Sequence, residues 1–186
     1  MRRIVVVLAV GLLTLTACGD DDDAGGGGDV SAEEQPYVDA MVASSQDQEE
    51  GELSLTAEQA ECVAPKWIDT IGIDRLEEAG VTPEALDENG MDDLDTLGLS
   101  ADDGSDLYGA FGACDVDVKD LFIDSLASDS DLTDEDRACL DEHFGEDLLE
   151  QIMVTTLTQG ADALNEDEEL TSELFAVFSE CPGAAG

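Results

Sequence analysis

Two hydrophobic patterns divide this chain: a short continuous apolar run near its start, and a helical periodicity that begins near residue 35. The run covers residues 4–17, which is shorter than the roughly 20 residues that a helix needs to span a bilayer. Further on, apolar residues recur every three or four positions, as on one face of a helix. The clearest such stripe consists of Ala57, Ala60, Ala64, Trp67 and Ile71. Alternating strand-like patterns are missing, so the pattern predicts an all-α fold.

The periodic part of the chain contains an internal repeat. The two strongest matches are LTAEQAEC (residues 55–62) with LTDEDRAC (132–139), and LYGAFGAC (107–114) with LFAVFSEC (174–181). Weaker matches join residues 71–79 to 144–152 and residues 37–45 to 118–126. Because the matches follow the same order, they predict two tandem repeats of about four short helices each. The predicted boundaries are 35–115 and 116–183.

Local signals place several helix ends within these repeats. Thr56 and Thr133 each stand three residues before a side chain that can accept a hydrogen bond, which resembles a capping box. The pair Thr82 and Pro83 suits the start of another helix. Between Cys62 and Gly72, the first repeat has four residues more than the second repeat has between Cys139 and Gly145, which is about one helical turn. Pro65 lies in this insertion and predicts a kink or a new helix there.

Four cysteines follow the start of the periodic region, and each repeat has one in its capped helix and one at the end of its last helix: Cys62, Cys114, Cys139 and Cys181. An even number of cysteines in an exported chain indicates disulfides, and four cysteines allow three pairings. The repeat favours the pairing in which each unit closes on itself. We therefore predict the disulfides Cys62–Cys114 and Cys139–Cys181. Zinc sites usually bring close pairs such as C-x2-C, and no such pair occurs, so the spacing predicts no metal site.

The first residues resemble an export signal, with Arg2 and Arg3 before the apolar run. The run ends in Leu15-Thr16-Ala17-Cys18, which resembles the lipobox of bacterial lipoproteins. This resemblance implies that residues 1–17 are a signal peptide cleaved before Cys18. It also implies that the Cys18 sulfur receives palmitate-type acyl chains, which hold the chain at the extracytoplasmic face of the cell membrane. The alternative is an ordinary cleaved signal in which the cysteine is incidental.

Charge is the most unusual feature of the composition. The chain has 48 acidic and 6 basic residues and a formal net charge of −42. After the signal, the basic residues are Lys66, Arg75, Lys119 and Arg137. Such a surface excludes nucleic-acid binding, which needs basic patches, and protein-driven docking on anionic headgroups. Residues 18–34, rich in glycine and aspartate, are typical of an extended tether.

Candidate chemistry is sparse. His143 is the only histidine, carboxylates are too abundant to single out a pair, and no EF-hand or nucleotide motif is present. We therefore predict no catalytic residue and no cofactor. Together, the motifs resemble acidic lipoproteins of GC-rich Gram-positive bacteria, a resemblance that implies location and fold class but no mechanism.

The function predicted from these features is a lipid-anchored, non-enzymatic binding or structural module of the cell envelope. Its partner would be an envelope protein, a cell-wall component or cations. Two alternatives remain at this point: a hydrolase that uses carboxylates, and a low-affinity binder of divalent cations.

Overall fold

The computed structural model describes residues 30–46, 55–89, 94–129 and 132–185. These residues form α-helices and short 3-10 segments and contain no strand, which confirms the predicted all-α class. The helices are α1 (Gln35–Gln46), α2 (Ala57–Ile71), α3 (Ile73–Ala79), α4 (Pro83–Asn89), α5 (Ala101–Ala113), α6 (Val118–Asp129), α7 (Asp134–His143), α8 (Glu146–Gln159) and α9 (Glu168–Glu180). The predicted signal peptide and Cys18 lie outside the described residues.

The folded part begins inside the segment that the sequence assigned to the tether. The Ser31 backbone N–H donates to the Glu34 carboxylate at 2.6 Å, and the Glu34 N–H donates to the Ser31 hydroxyl at 3.2 Å. Val30 packs against the hydrophobic core. The reciprocal bonds cap the turn that leads into α1, so residues 30–34 belong to the helical domain. The acidic composition of these residues had suggested a tether instead.

Capping boxes start α2 and α7 as predicted. The Thr56 hydroxyl accepts the Gln59 backbone N–H at 3.3 Å, and the Gln59 side chain accepts the Thr56 N–H at 3.0 Å. Thr133 and Asp136 make the same two bonds at α7. These bonds satisfy backbone donors that a helix start otherwise leaves unpaired. The two helices therefore begin at matching positions of the two repeats.

The four-residue insertion lengthens α2 and does not divide it. α2 has 15 residues and α7 has 10. Pro65 lies inside α2, so of the two expected outcomes, a kink or a new helix, the new helix was wrong. Ala64, Trp67 and Ile68, on either side of the proline, are each 1 % exposed. Burial of these side chains offsets the backbone hydrogen bond that proline cannot donate.

Trp67 is at the centre of the first core, which gathers side chains from α1 to α5. Its indole Nε1 donates to the Leu107 carbonyl oxygen at 2.9 Å. Its ring meets the Phe111 ring edge to face, with centroids 5.3 Å apart. All members of the predicted α2 stripe are buried except Ala57, which lies exposed in the first turn of the helix.

The second core is built around Phe144, between the rings of Phe122 and Phe178 at centroid distances of 5.2 and 6.1 Å. Leu140 and Leu149 are almost completely buried beside it. Phe175 differs from these phenylalanines, with 74 % of its surface exposed.

One helix joins the two repeats. Gly80, in the left-handed conformation with φ 76°, ends α3. The matching position of the second repeat is Met153, and there α8 continues for another two turns to Gln159. In this extension, Met153 and Leu157 belong to the first core, packed with residues of the other repeat. The repeats therefore share a hydrophobic core through α8, although each closes its own disulfide.

Candidate functional site

The first predicted cysteine pair lies between α2 and α5. Cys62 and Cys114 form a disulfide that spans 52 residues, with Cα atoms 5.7 Å apart. Cys62, beside the α2 stripe, is partly buried, and Cys114 is 7 % exposed at the end of α5. The disulfide thus joins the capped helix of the first repeat to its last helix.

The second pair has the same place in the second repeat. Cys139 and Cys181 form a disulfide that spans 42 residues, with Cα atoms 5.8 Å apart. Cys181 is 1 % exposed and stands at the end of α9, as Cys114 does at the end of α5. Both predicted pairings are therefore present in the structure.

A histidine and a carboxylate accompany the second disulfide but not the first. A ring nitrogen of His143 and the Sγ atoms of Cys139 and Cys181 all lie within 4.8 Å of one another. The His143 Nε2 atom is 3.7 Å from a carboxylate oxygen of Glu180, and about a third of the histidine side chain is exposed. We call these four residues the His143 cluster.

The His143 cluster was missed by sequence reasoning because the zinc argument considered only spacing along the chain. His143 follows Cys139 by four residues, so the two side chains share a face of α7. The predicted disulfide brings Cys181 to the same point, together with the preceding Glu180. The signal was therefore present: a histidine one helical turn after a cysteine whose partner was already predicted.

Three basic side chains of the folded part are paired with aspartates. The ion pairs given by the structure are Arg75 with Asp103 at 3.2 Å, Lys119 with Asp141 at 2.8 Å, and Arg137 with Asp124. Since each pair neutralises one of the few positive charges, the surface that remains is dominated by carboxylates.

Hydrogen bonds to helix caps lower the pKa of two carboxyl groups. The Ser100 backbone N–H and hydroxyl hold the pKa of Asp103 below its usual range, and Arg75 lowers it further. The Thr133 hydroxyl and backbone N–H do the same for the pKa of Asp136. Both carboxyl groups therefore stay ionised at neutral pH. A general acid needs the opposite perturbation, a raised pKa.

An acidic cleft of about 440 Å³ lies between α5 and the start of α8. Tyr108 lines it, and burial raises the pKa of this phenol, with further contributions from the charges of Glu150 and Glu146. Asp117 and Asp147, both exposed to solvent, also line the cleft, together with Lys119, whose charge is paired with Asp141. The cleft offers a locally negative surface next to a phenol.

A separate apolar cavity adjoins Trp67, Met41 and Leu121, with a volume of about 20 Å³. That is roughly the room one water molecule needs, so this cavity is a packing defect and is too small for an organic ligand.

Neither a family model, nor a curated protein, nor a solved structure matches this chain. In the described part of the chain, no helix is both long and apolar enough to cross a membrane. Function must therefore be argued from the chain itself.

Proposed function

We propose that the protein is a lipid-anchored, non-enzymatic module of the cell envelope, held at the extracytoplasmic face of the membrane through Cys18. The observation that favours this role is the pair of disulfides, one in each repeat. Disulfides persist in oxidising compartments outside the cytoplasm and are rare within it. They agree with the compartment to which the Leu15-Thr16-Ala17-Cys18 motif would direct the chain.

The number of acyl chains decides whether such an anchor holds. A single acyl chain gives marginal, reversible membrane binding, whereas two chains anchor a protein stably. Since the surface of the folded part is acidic, its charge opposes contact with anionic headgroups. The lipid would therefore provide the attachment, and residues 18–29 would separate the helical domain from the bilayer.

Metabolic labelling with a palmitate analogue tests the anchor. The full chain is expressed in a Gram-positive host beside Cys18→Ala and the matched control Thr16→Ala, which keeps a small residue in the motif. We expect the label and membrane fractionation for the wild type and for Thr16→Ala, and neither for Cys18→Ala. Equal labelling of Cys18→Ala, or an unlabelled wild type released to the medium, would contradict the proposal.

The acidic cleft supports a second candidate function, weak binding of divalent cations. Calcium and magnesium prefer oxygen ligands, and the cleft presents Glu146 and Glu150 beside Tyr108. A bound cation would offset the charges that raise the pKa of Tyr108, so millimolar calcium should lower that pKa. The variant Glu146→Gln/Glu150→Gln should lose this response. An unchanged titration of Tyr108 with calcium present would exclude the cleft as the site.

A further inference from the structure

We propose that the His143 cluster is a redox-gated site for a thiophilic divalent metal such as Zn²⁺. In the oxidised protein the two sulfurs are joined in a disulfide and offer no thiolate. After reduction, the Sγ atoms of Cys139 and Cys181 and a ring nitrogen of His143 would bind the ion, with Glu180 as the fourth ligand. This inference is independent of the lipid anchor at Cys18.

The distances within the His143 cluster suit tetrahedral zinc. Zinc binds sulfur at about 2.3 Å and histidine nitrogen at about 2.0 Å, which places donor atoms about 3.3–3.8 Å apart around the ion. The three donors already lie within 4.8 Å of one another. After reduction the sulfurs must only move apart to make room for the ion. The Glu180 oxygen is 3.7 Å from Nε2 but does not lie within 4.8 Å of all three donors, so its exposed side chain would turn to take the fourth position.

The backbone around the cluster also favours a cation. His143 is the last residue of α7, and Cys181 caps the end of α9. Two helix C-termini, each with a partial negative charge, therefore meet at the site. The Glu180 carbonyl oxygen lies 3.6 Å from Cys139 Sγ and adds a further dipole of the same sense.

The first repeat provides a matched site without the two additional donors. The residue one turn after Cys62 is Lys66, at the position of His143, and the residue before Cys114 is Ala113, at the position of Glu180. A protonated lysine has no lone pair for a metal, and alanine has no donor at all. We therefore expect metal binding at Cys139 and Cys181 and none at Cys62 and Cys114.

A dithiol can supply the electrons and protons that reduction of the Cys139–Cys181 disulfide needs. The disulfide accepts two electrons and two protons and becomes two thiols, while the dithiol becomes a disulfide. Zn²⁺ then displaces the two thiol protons and binds the thiolates, so metal binding releases protons and weakens in acid. In the reverse exchange, a disulfide accepts two electrons and two protons and becomes a dithiol, while the Cys139–Cys181 bond forms again and the ion is released.

Alkylation of the full chain tests the site. The protein is reduced anaerobically, incubated with or without equimolar Zn²⁺, and given a short pulse of iodoacetamide before peptide mapping. Because metal-bound thiolates react slowly, we expect zinc to slow labelling of Cys139 and Cys181 at least about tenfold. Labelling of Cys62 and Cys114 should not change. Equal labelling of all four cysteines with and without zinc, or equal protection of both pairs, would overturn the proposal.

Cobalt spectroscopy gives a second readout that does not depend on labelling. Reduced Cys62→Ser/Cys114→Ser should show thiolate-to-cobalt charge-transfer absorption at one Co²⁺ per chain, removed by Zn²⁺. Reduced Cys139→Ser/Cys181→Ser should show none, and adding Lys66→His and Ala113→Glu to that variant should create the absorption. His143→Gln should weaken cobalt binding at least about tenfold, since it removes one of the few protein ligands. Cobalt absorption by the oxidised wild type, or its absence from the reduced first variant, would refute the assignment.

Discussion

Gly104 sets the distance between α5 and α8, where the two repeats meet. A methyl group added at Gly104 would lie 2.9 Å from Thr158 Cγ2 and 3.0 Å from Val154 Cγ1. Neither side chain can turn away cheaply, because both are β-branched and the Thr158 hydroxyl donates to the Val154 carbonyl oxygen at 2.7 Å. Gly104→Ala should therefore strain the contact that joins the repeats.

Gly109 offers a matched control in the same helix. A methyl group there meets no atom within 4 Å, and the residue is exposed. Replacing glycine by alanine inside a helix stabilises it by about 0.8–1.0 kcal/mol, and this gain applies at both positions. Overpacking costs about 1–3 kcal/mol and applies only to Gly104→Ala. The gain in helix propensity is the same in both variants. The difference between their free energies of unfolding therefore measures the packing cost at Gly104.

Urea unfolding of residues 19–186 with disulfides intact, followed by far-ultraviolet circular dichroism, measures this difference. Gly109→Ala should raise the free energy of unfolding by about 1 kcal/mol. Gly104→Ala should fall below Gly109→Ala by about 1–3 kcal/mol. If Gly104→Ala stabilised the protein as much as Gly109→Ala, the close contact of α5 with α8 would be refuted, together with the shared core.

Four further predictions concern caps, tyrosine, disulfides and charge. Thr133→Ala should lower the free energy of unfolding by about 1 kcal/mol in urea titrations. Because the Thr133 hydroxyl lowers the pKa of Asp136, the part of that loss due to their side-chain hydrogen bond should be present above the ordinary value of 3.8 and be lost as pH falls through the lowered pKa. Phenolate absorbance should show Tyr108 ionising above 10.0. Its raised pKa stabilises the fold below that pH, and the contribution is lost as pH rises through the raised value. Cys62→Ser/Cys114→Ser should cost about 4 kcal/mol in urea unfolding, for a loop of 52 residues. Shortening the Debye length from about 30 to about 3 Å with salt should raise the melting temperature in calorimetry, because the net charge is −42.

The features predicted from the sequence are those that depend on nearby residues or on the repeat. A capping box involves residues three apart, so Thr56 and Thr133 mark helix starts without knowledge of the fold. The cysteine pairing followed from the repeat, since each unit has one cysteine in its capped helix and one at the end of its last helix and can close on itself. Pro65 misled the local argument because burial of Trp67 and its neighbours, a tertiary effect, keeps α2 continuous.

Features that depend on contacts between distant elements were not predicted. The shared core arises because Met153 stands where the first repeat has Gly80, which lets α8 continue toward α5. The His143 cluster needs α7 and α9 to lie side by side, which spacing along the chain does not show. Phe175 is exposed because its neighbours Leu174 and Phe178, and not Phe175, face the second core.

The intact mass of the protein extracted from membranes without reduction tests the central proposal most directly. We expect a chain that begins at Cys18 and carries a diacylglyceryl group. Its mass should be lowered by two hydrogen atoms for each of the two disulfides. A chain that begins elsewhere without lipid, or that retains free thiols in this oxidised preparation, would contradict a lipid-anchored module with one disulfide in each repeat.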